Sequence, residues 1–224
     1  MQLILSAYGQ LYYQPLNNIQ FWQTLENYLK ENFTKITPTD LIEIFLNCCY
    51  LEVYPLNFVP SVFNPYFLDL MHTTTDEERL PKARSDLKLL DATLTLEAKT
   101  YTGPLLPKDH SAKSVWQDGR IKRVINLLTD QFEKIAGSSD NFTKSVIMGK
   151  LPTNALYIID LLIHPPGLKN FYSLRTDRNV FIAVLIIIPD YLDGKGEILI
   201  GPQQMRIRHL RKLGMKVVTL NYNQ

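Results

Sequence analysis

The stretch Asn179–Gln224, NVFIAVLIIIPDYLDGKGEILIGPQQMRIRHLRKLGMKVVTLNYNQ, decides how the chain folds. Its first run, Val180 to Ile188, is apolar and mostly β-branched, and it stops at Pro189 and the turn cluster Asp190-Tyr191-Leu192-Asp193-Gly194. A run of that length between breakers reads as a strand covered on both faces. Ile198-Leu199-Ile200 leads into Gly201-Pro202, where proline suits a first helical position, and a helix is expected over Gln203–Leu213. Met205, Leu210 and Leu213, with Ile207 beside them, form its apolar side. That leaves Arg206, Arg208, His209, Arg211 and Lys212 as a cationic cover. Gly214 closes the helix, and Met215–Leu220 resumes as a strand.

Upstream, Gly119–Ala136 reads as a helix whose buried stripe is Ile121, Val124, Leu127, Leu128, Phe132 and Ile135. Arg120, Lys122 and Arg123 crowd its first turn, against the helix dipole, which a binding role for them would explain. Phe142–Met148 and Ala155–Ile163 read as strands. The second carries Asp160 inside the run Leu156-Tyr-Ile-Ile-Asp-Leu-Leu-Ile163, and an acid so placed needs a partner or a metal to offset its desolvation. From Gly119 onward the expected order is αβββαβ.

The first part of the chain reads as helices joined by short turns, in a solenoid-like succession too irregular to be a repeat. Phe21–Phe33 has helical spacing. Thr37-Pro38-Thr39-Asp40 is a helix start that opens onto Leu41, Ile42, Phe45, Leu46, Cys49 and Tyr50. Phe58–Met71 reads as a further helical stretch despite Pro60 and Pro65, His72–Arg79 as a polar linker, and Ala83–Ala98 as another helix. Tyr101–Pro107 is rich in turn residues.

Composition narrows the classes. With 46% apolar and 21% charged residues, wholesale disorder is excluded. The formal net charge of +2 is small, but between Gly201 and Lys216 five Lys or Arg residues meet no acid. Such a surface leans toward polyanions, and it is equally the pattern of an ordinary solvated helix face. Adjacent Cys48 and Cys49, without a CxxC, point away from zinc and toward a reducing compartment. No run approaches the roughly 18 apolar residues of a membrane span. The opening MQLILSAYGQLYYQP has neither secretory nor organellar targeting character. His72, His110 and His164 each lie beside turn residues, far apart, and make no metal trio.

Three separated stretches resemble one family. Asp40–Tyr50, Tyr54–Phe58 and Phe63–Leu68 are similar to the first signature domain of the FAST-kinase-domain family. Leu94–Glu97, Tyr101–Pro104 and Leu106-Pro107 resemble its second domain. Leu199-Ile-Gly201, Arg206–Leu210, Leu213-Gly214 and Val217-Val218 resemble the RAP domain that ends these proteins. On that basis residues 1–75 hold the helical region with the first FAST-type domain, 76–165 the second, and 166–224 the RAP domain. The resemblance implies an RNA-binding protein of the mitochondrial matrix, acting on organellar mRNA or rRNA in processing, stability or translation. It also implies that the helical part ends a longer array. RNA-granule or mitoribosomal proteins are the implied protein partners. No Gly-rich phosphate loop, HRD or DFG is present, so protein-kinase chemistry is not expected.

RAP domains are similar in fold to PD-(D/E)XK nucleases, whose core order is the αβββαβ read above. That chemistry sets acids on two successive strands around Mg²⁺. Asp160 suits the first position. At the second, relatives' acids are replaced by Leu185 and Ile187, while Asp190 follows the proline and Glu197 has no suitable spacing. A metal-dependent endoribonuclease is therefore the alternative, with Asp160 its catalytic candidate and Mg²⁺ its cofactor. The main reading is an RNA binder without cofactor or metal, using Arg206, Arg208, His209, Arg211, Lys212, Lys216, Arg120, Lys122, Arg123 and Tyr222. A non-catalytic protein scaffold is the third.

Overall fold

Proline and its capping neighbours set the helical phase in the first part of the chain. A computed structural model describes residues 1–106, 116–149, 151–152, 154–166 and 181–222. Pro107, His110, Asn179 and Val180 of the readings above lie outside the described residues. The helices are α1 (Gln2–Leu11), α2 (Asn18–Asn32), α3 (Pro38–Tyr50), α4 (Val59–Val62), α5 (Pro65–Thr74) and α6 (Leu80–Glu97). Then follow α7 (Gly119–Ala136), β1 (Phe142–Val146), β2 (Ile159–Ile163), β3 (Ile182–Ile187), α8 (Gly201–Lys212) and β4 (Lys216–Asn221). The fold is mixed, helices plus one small sheet. Among the described residues no helix is long and apolar enough to cross a membrane.

Two compact units result. One takes the described residues up to Leu106 together with Ile200–Met205, and the other takes those from Trp116 to Leu199 together with Arg206 onward. The motif boundaries at 75/76 and 165/166 cut across this packing. Helix α6 belongs with the first unit, and β3 and β4 share their sheet with β1 and β2.

In the first unit α3 is the central helix, packed against α1 and α6. Thr37 starts it as expected: its hydroxyl accepts the Asp40 N–H at 3.2 Å, with Pro38 in the first turn. Leu41, Ile42, Phe45, Leu46, Cys49 and Tyr50 are all buried. Helix α1 crosses α3 closely at Gly9, where a Cβ would stand 2.5 Å from Asn47 Oδ1 and 2.9 Å from Asn47 Cα. The stretch expected as one helix over Phe58–Met71 is two. Proline cannot sit inside a helix, so Pro65 begins α5 instead, and Asn64 caps it by accepting the Tyr66 N–H at 2.8 Å. The polar linker is shorter than expected, because α5 runs through Thr74.

The second unit has the element order read from the sequence. Its sheet runs β1-β2-β3-β4, with β1/β2 and β2/β3 antiparallel and β3/β4 parallel. Helix α7 covers one face through a cluster of Ile121, Ile125, Phe132, Phe142, Leu161, Val184, Ile186 and Ile188. Its stripe differs from the expected one. Ile125 is core, whereas Leu127 and Ile135 are 72% and 73% exposed. Positions 121, 125, 128 and 132 keep one helical face, and two residues beyond Ile125 the chain has turned to the opposite side. Strand alternation sends Asp160, Leu162, Leu185 and Ile187 away from α7. On that other face runs α8, the crossover that a parallel β3–β4 pair requires.

Candidate nucleic-acid interface

The cationic helix splits into two populations. Arg211 and Lys212 on α8, and Lys216 at the start of β4, are exposed, and Arg208 is half-buried. Arg206 and His209, expected on the cover, are 2% and 0% exposed. Their burial has a local cause. Before β2 the chain makes a 3₁₀ turn, Ala155–Tyr157, which Asn154 caps by accepting the Leu156 N–H. This turn presents polar atoms toward α8. The Ile158 carbonyl accepts a hydrogen bond from Arg206 Nη2, which also lies 3.5 Å from Asp160 Oδ2. The Tyr157 hydroxyl and His209 Nδ1 are 2.5 Å apart, with their rings stacked at 5.7 Å. A buried guanidinium so paired cannot also reach an RNA phosphate, so Arg206 and His209 leave the surface set.

Asp160 is almost fully buried, and its carboxylate is occupied. Oδ1 accepts from Gln117 Nε2 at 2.6 Å, and Oδ2 accepts from the Ile186 N–H at 2.8 Å and from Arg206. The β2–β3 register runs to Leu161↔Val184, and next to it the Asp160 side chain takes the Ile186 N–H in place of a backbone acceptor. Burial pushes the Asp160 carboxyl above the usual range, chiefly against the pull of the Arg206 guanidinium. Gln117 is held in turn by Ser145, whose hydroxyl donates to Gln117 Oε1 at 2.7 Å from a left-handed backbone, φ 54°. Gln117, Ser145 and Tyr157 escaped the sequence reading. Their partners are distant in sequence, and no local pattern marks Ser145 for that conformation.

The donor set around Asp160 does not suit a divalent cation: amide N–H groups and a guanidinium point at it, with no second carboxylate among the described residues. Leu185 and Ile187 are buried apolar residues, and Asp190 sits exposed in the 3₁₀ turn Pro189–Tyr191. Glu197 is exposed, its N–H bonded to Asp193. Among the described residues no group of three His, Cys, Asp or Glu is placed to hold a metal ion.

At the other helix, Asp118 caps α7 by accepting the Arg120 N–H at 2.8 Å, which places a negative charge at the crowded cationic turn. The Arg120 side chain is engaged by Asp118 and Asp190, at 2.8 and 2.6 Å. Hydrogen bonds from Arg120 lower the Asp118 carboxyl to about 2 and hold Asp190 below the usual range. Arg120 is thus largely committed within the protein. Lys122 and Arg123 are exposed, with the Lys122 ammonium 5.7 Å from the centre of the Trp116 ring. Tyr222 is half-buried, packed against the α7-side cluster, and its N–H donates to Ile187 O at 2.8 Å. Helices α7 and α8 cover opposite faces of the sheet.

Comparison with known proteins adds the family. Residues 1–72 match the family described as FAST kinase-like protein, subdomain 1. The chain is 28% identical to bovine FAST kinase domain-containing protein 3, mitochondrial, and 26% identical to the human protein of that name. These alignments cover 98% and 99% of this chain and 34% of each relative. It is also 22% identical to mouse Fas-activated serine/threonine kinase, over 100% of this chain and 48% of that protein. The chain therefore spans about a third of the length of the first relatives it matches. No solved structure matches. The relatives named as mitochondrial support a mitochondrial location for this chain. The helical first unit falls where the subdomain 1 match lies, and nearly the whole chain is similar to members of the FAST-kinase-domain family.

Proposed function

We propose that this chain is an RNA-binding part of a mitochondrial protein that acts after transcription on organellar mRNA or rRNA, in processing, stability or translation. Its second part is read as a second FAST-type segment followed by a RAP domain on a nuclease-like core. Its helical first part is read as the end of a solenoid-like array. The α7-β1-β2-β3-α8-β4 order and the residues resembling RAP support this reading. The observation that carries it is the group of exposed cations at the α8–β4 junction, Arg211, Lys212 and Lys216. Among the described residues these three form no ion pair. Cations left solvated and close in sequence are what phosphate neutralisation uses. The endoribonuclease alternative loses ground at Asp160, whose oxygens are already taken by N–H donors.

The test is a titration of the chain with single-stranded RNA over a range of salt, read by fluorescence anisotropy. Arg211→Ala with Lys212→Ala is expected to weaken binding and to lower the salt slope by about 1.4, at roughly 0.7 per phosphate contact. Unchanged affinity and slope in the double variant would remove this junction from the interface. RNA cleavage in Mg²⁺ that is lost in Asp160→Ala would restore the nuclease reading.

A further inference from the structure

We infer that Trp116 is a base-stacking platform for single-stranded RNA, with Lys122 and Arg123 as its phosphate contacts, a site separate from the α8–β4 junction. The inference rests on the RNA-binding reading and extends it to the kind of RNA bound. Trp116 is 81% exposed, immediately before the Asp118 cap of α7. An indole left in water keeps a large flat ring open to stacking by a partner outside the fold.

The neighbouring charges say which partner. The Lys122 ammonium stands 5.7 Å from the ring centroid, close enough for a cation–π contact, and Arg123, the next residue of α7, is exposed. Among the described residues neither Lys122 nor Arg123 forms an ion pair. The acids of this corner, Asp118 and Asp190, are both engaged by Arg120. An aromatic face beside uncompensated cations matches a nucleobase attached to a phosphate, and the match is to single strands. Bases in a duplex are stacked on each other and cannot lie on a side-chain ring.

The chain has two tryptophans, Trp22 and Trp116. In Trp22→Phe, therefore, Trp116 is the sole indole reporter. Adding a short single-stranded oligoadenylate is expected to quench its emission saturably, and a duplex RNA of equal length to leave it nearly unchanged. Trp116→Ala is expected to bind the oligoadenylate on the order of tenfold more weakly. Trp116→Phe, which keeps a stacking ring, stays close to the wild type. Binding of the oligoadenylate with unchanged Trp116 emission and full affinity in Trp116→Ala would overturn the platform and leave the RNA-binding reading standing. Equal quenching by duplex RNA, or by polyglutamate, would also overturn it, assigning the corner to general polyanion or acidic-protein contact. No binding of any RNA by the wild-type chain would overturn both readings.

Discussion

Replacing Arg206 by Met keeps most of the side-chain stem and removes the charge that faces Asp160. Both partners are almost completely buried, so water cannot take over the lost role. Removing one member of a buried ion pair costs about 3–5 kcal/mol, because the other charge stays behind uncompensated. Asp160 would keep the donors from Gln117 and Ile186, which favours the lower end of that range. The pH dependence identifies the cause. Burial already raises the Asp160 carboxyl above its usual 3.8, and Arg206 is the largest influence in the other direction. An acid raised on folding stabilises the fold below its unfolded pKa and gives that contribution up as pH rises through the folded value. Without Arg206 the folded value rises further. The Arg206→Met deficit should therefore be largest at neutral pH and shrink as the solution is acidified toward the ordinary carboxylate range. Asp160→Asn should also destabilise, with the opposite trend: its deficit against wild type is largest in acid, where the raised Asp160 carboxyl stabilises the wild type, and shrinks toward neutral pH. Urea unfolding followed by circular dichroism at neutral and mildly acidic pH measures both. A loss below about 1 kcal/mol in Arg206→Met, or one that does not change with pH, would refute this account of the pair.

Two further expectations concern stability and titration. Gly9→Ala should cost about 1–3 kcal/mol by overpacking, although alanine is the better helix former by about 1 kcal/mol, because the new Cβ would meet the backbone of Asn47 at 2.9 Å. A neutral or raised unfolding midpoint would show that α1 can back away from α3. Arg120→Gln should raise the Asp118 carboxyl from about 2 toward 3.8, short of it because the residue 120 N–H still donates, and should raise Asp190 as well. Carboxylates depressed on folding stabilise above their unfolded pKa and lose that contribution as pH falls through the folded value. The variant should therefore differ least from wild type once the solution is near pH 2. Carboxyl-carbon NMR titration checks this, and an Asp118 unmoved by the substitution would contradict it.

Much of the fold was legible because its signals are local. Thr37-Pro38 opened α3, Gly119 and Ala136 bounded α7, and breakers around the apolar runs gave the order of the sheet elements. What escaped was which side of α8 faces inward. Met205, Ile207 and Leu210 describe a narrow apolar stripe, whereas the buried surface also takes in Arg206 and His209, because Ile158, Asp160 and Tyr157 offer them polar partners from about 50 residues earlier. No periodicity in residues 201–213 can report such partners. Yet the two open questions in the sequence answer each other. Asp160 needed compensation inside an apolar run, and the helix held a cluster of cations without a nearby acid. Arg206 meets both demands, leaving Arg211, Lys212 and Lys216 as the outward part of the cluster. The same pairing accounts for the apolar residues at positions 185 and 187. Leu185 and Ile187 are buried on the Asp160 side of the sheet, where another carboxylate would share one guanidinium with Asp160. Two acids held there need the charge of a divalent metal. With Arg206 supplying a single positive charge instead, apolar side chains are what that part of the core can accommodate.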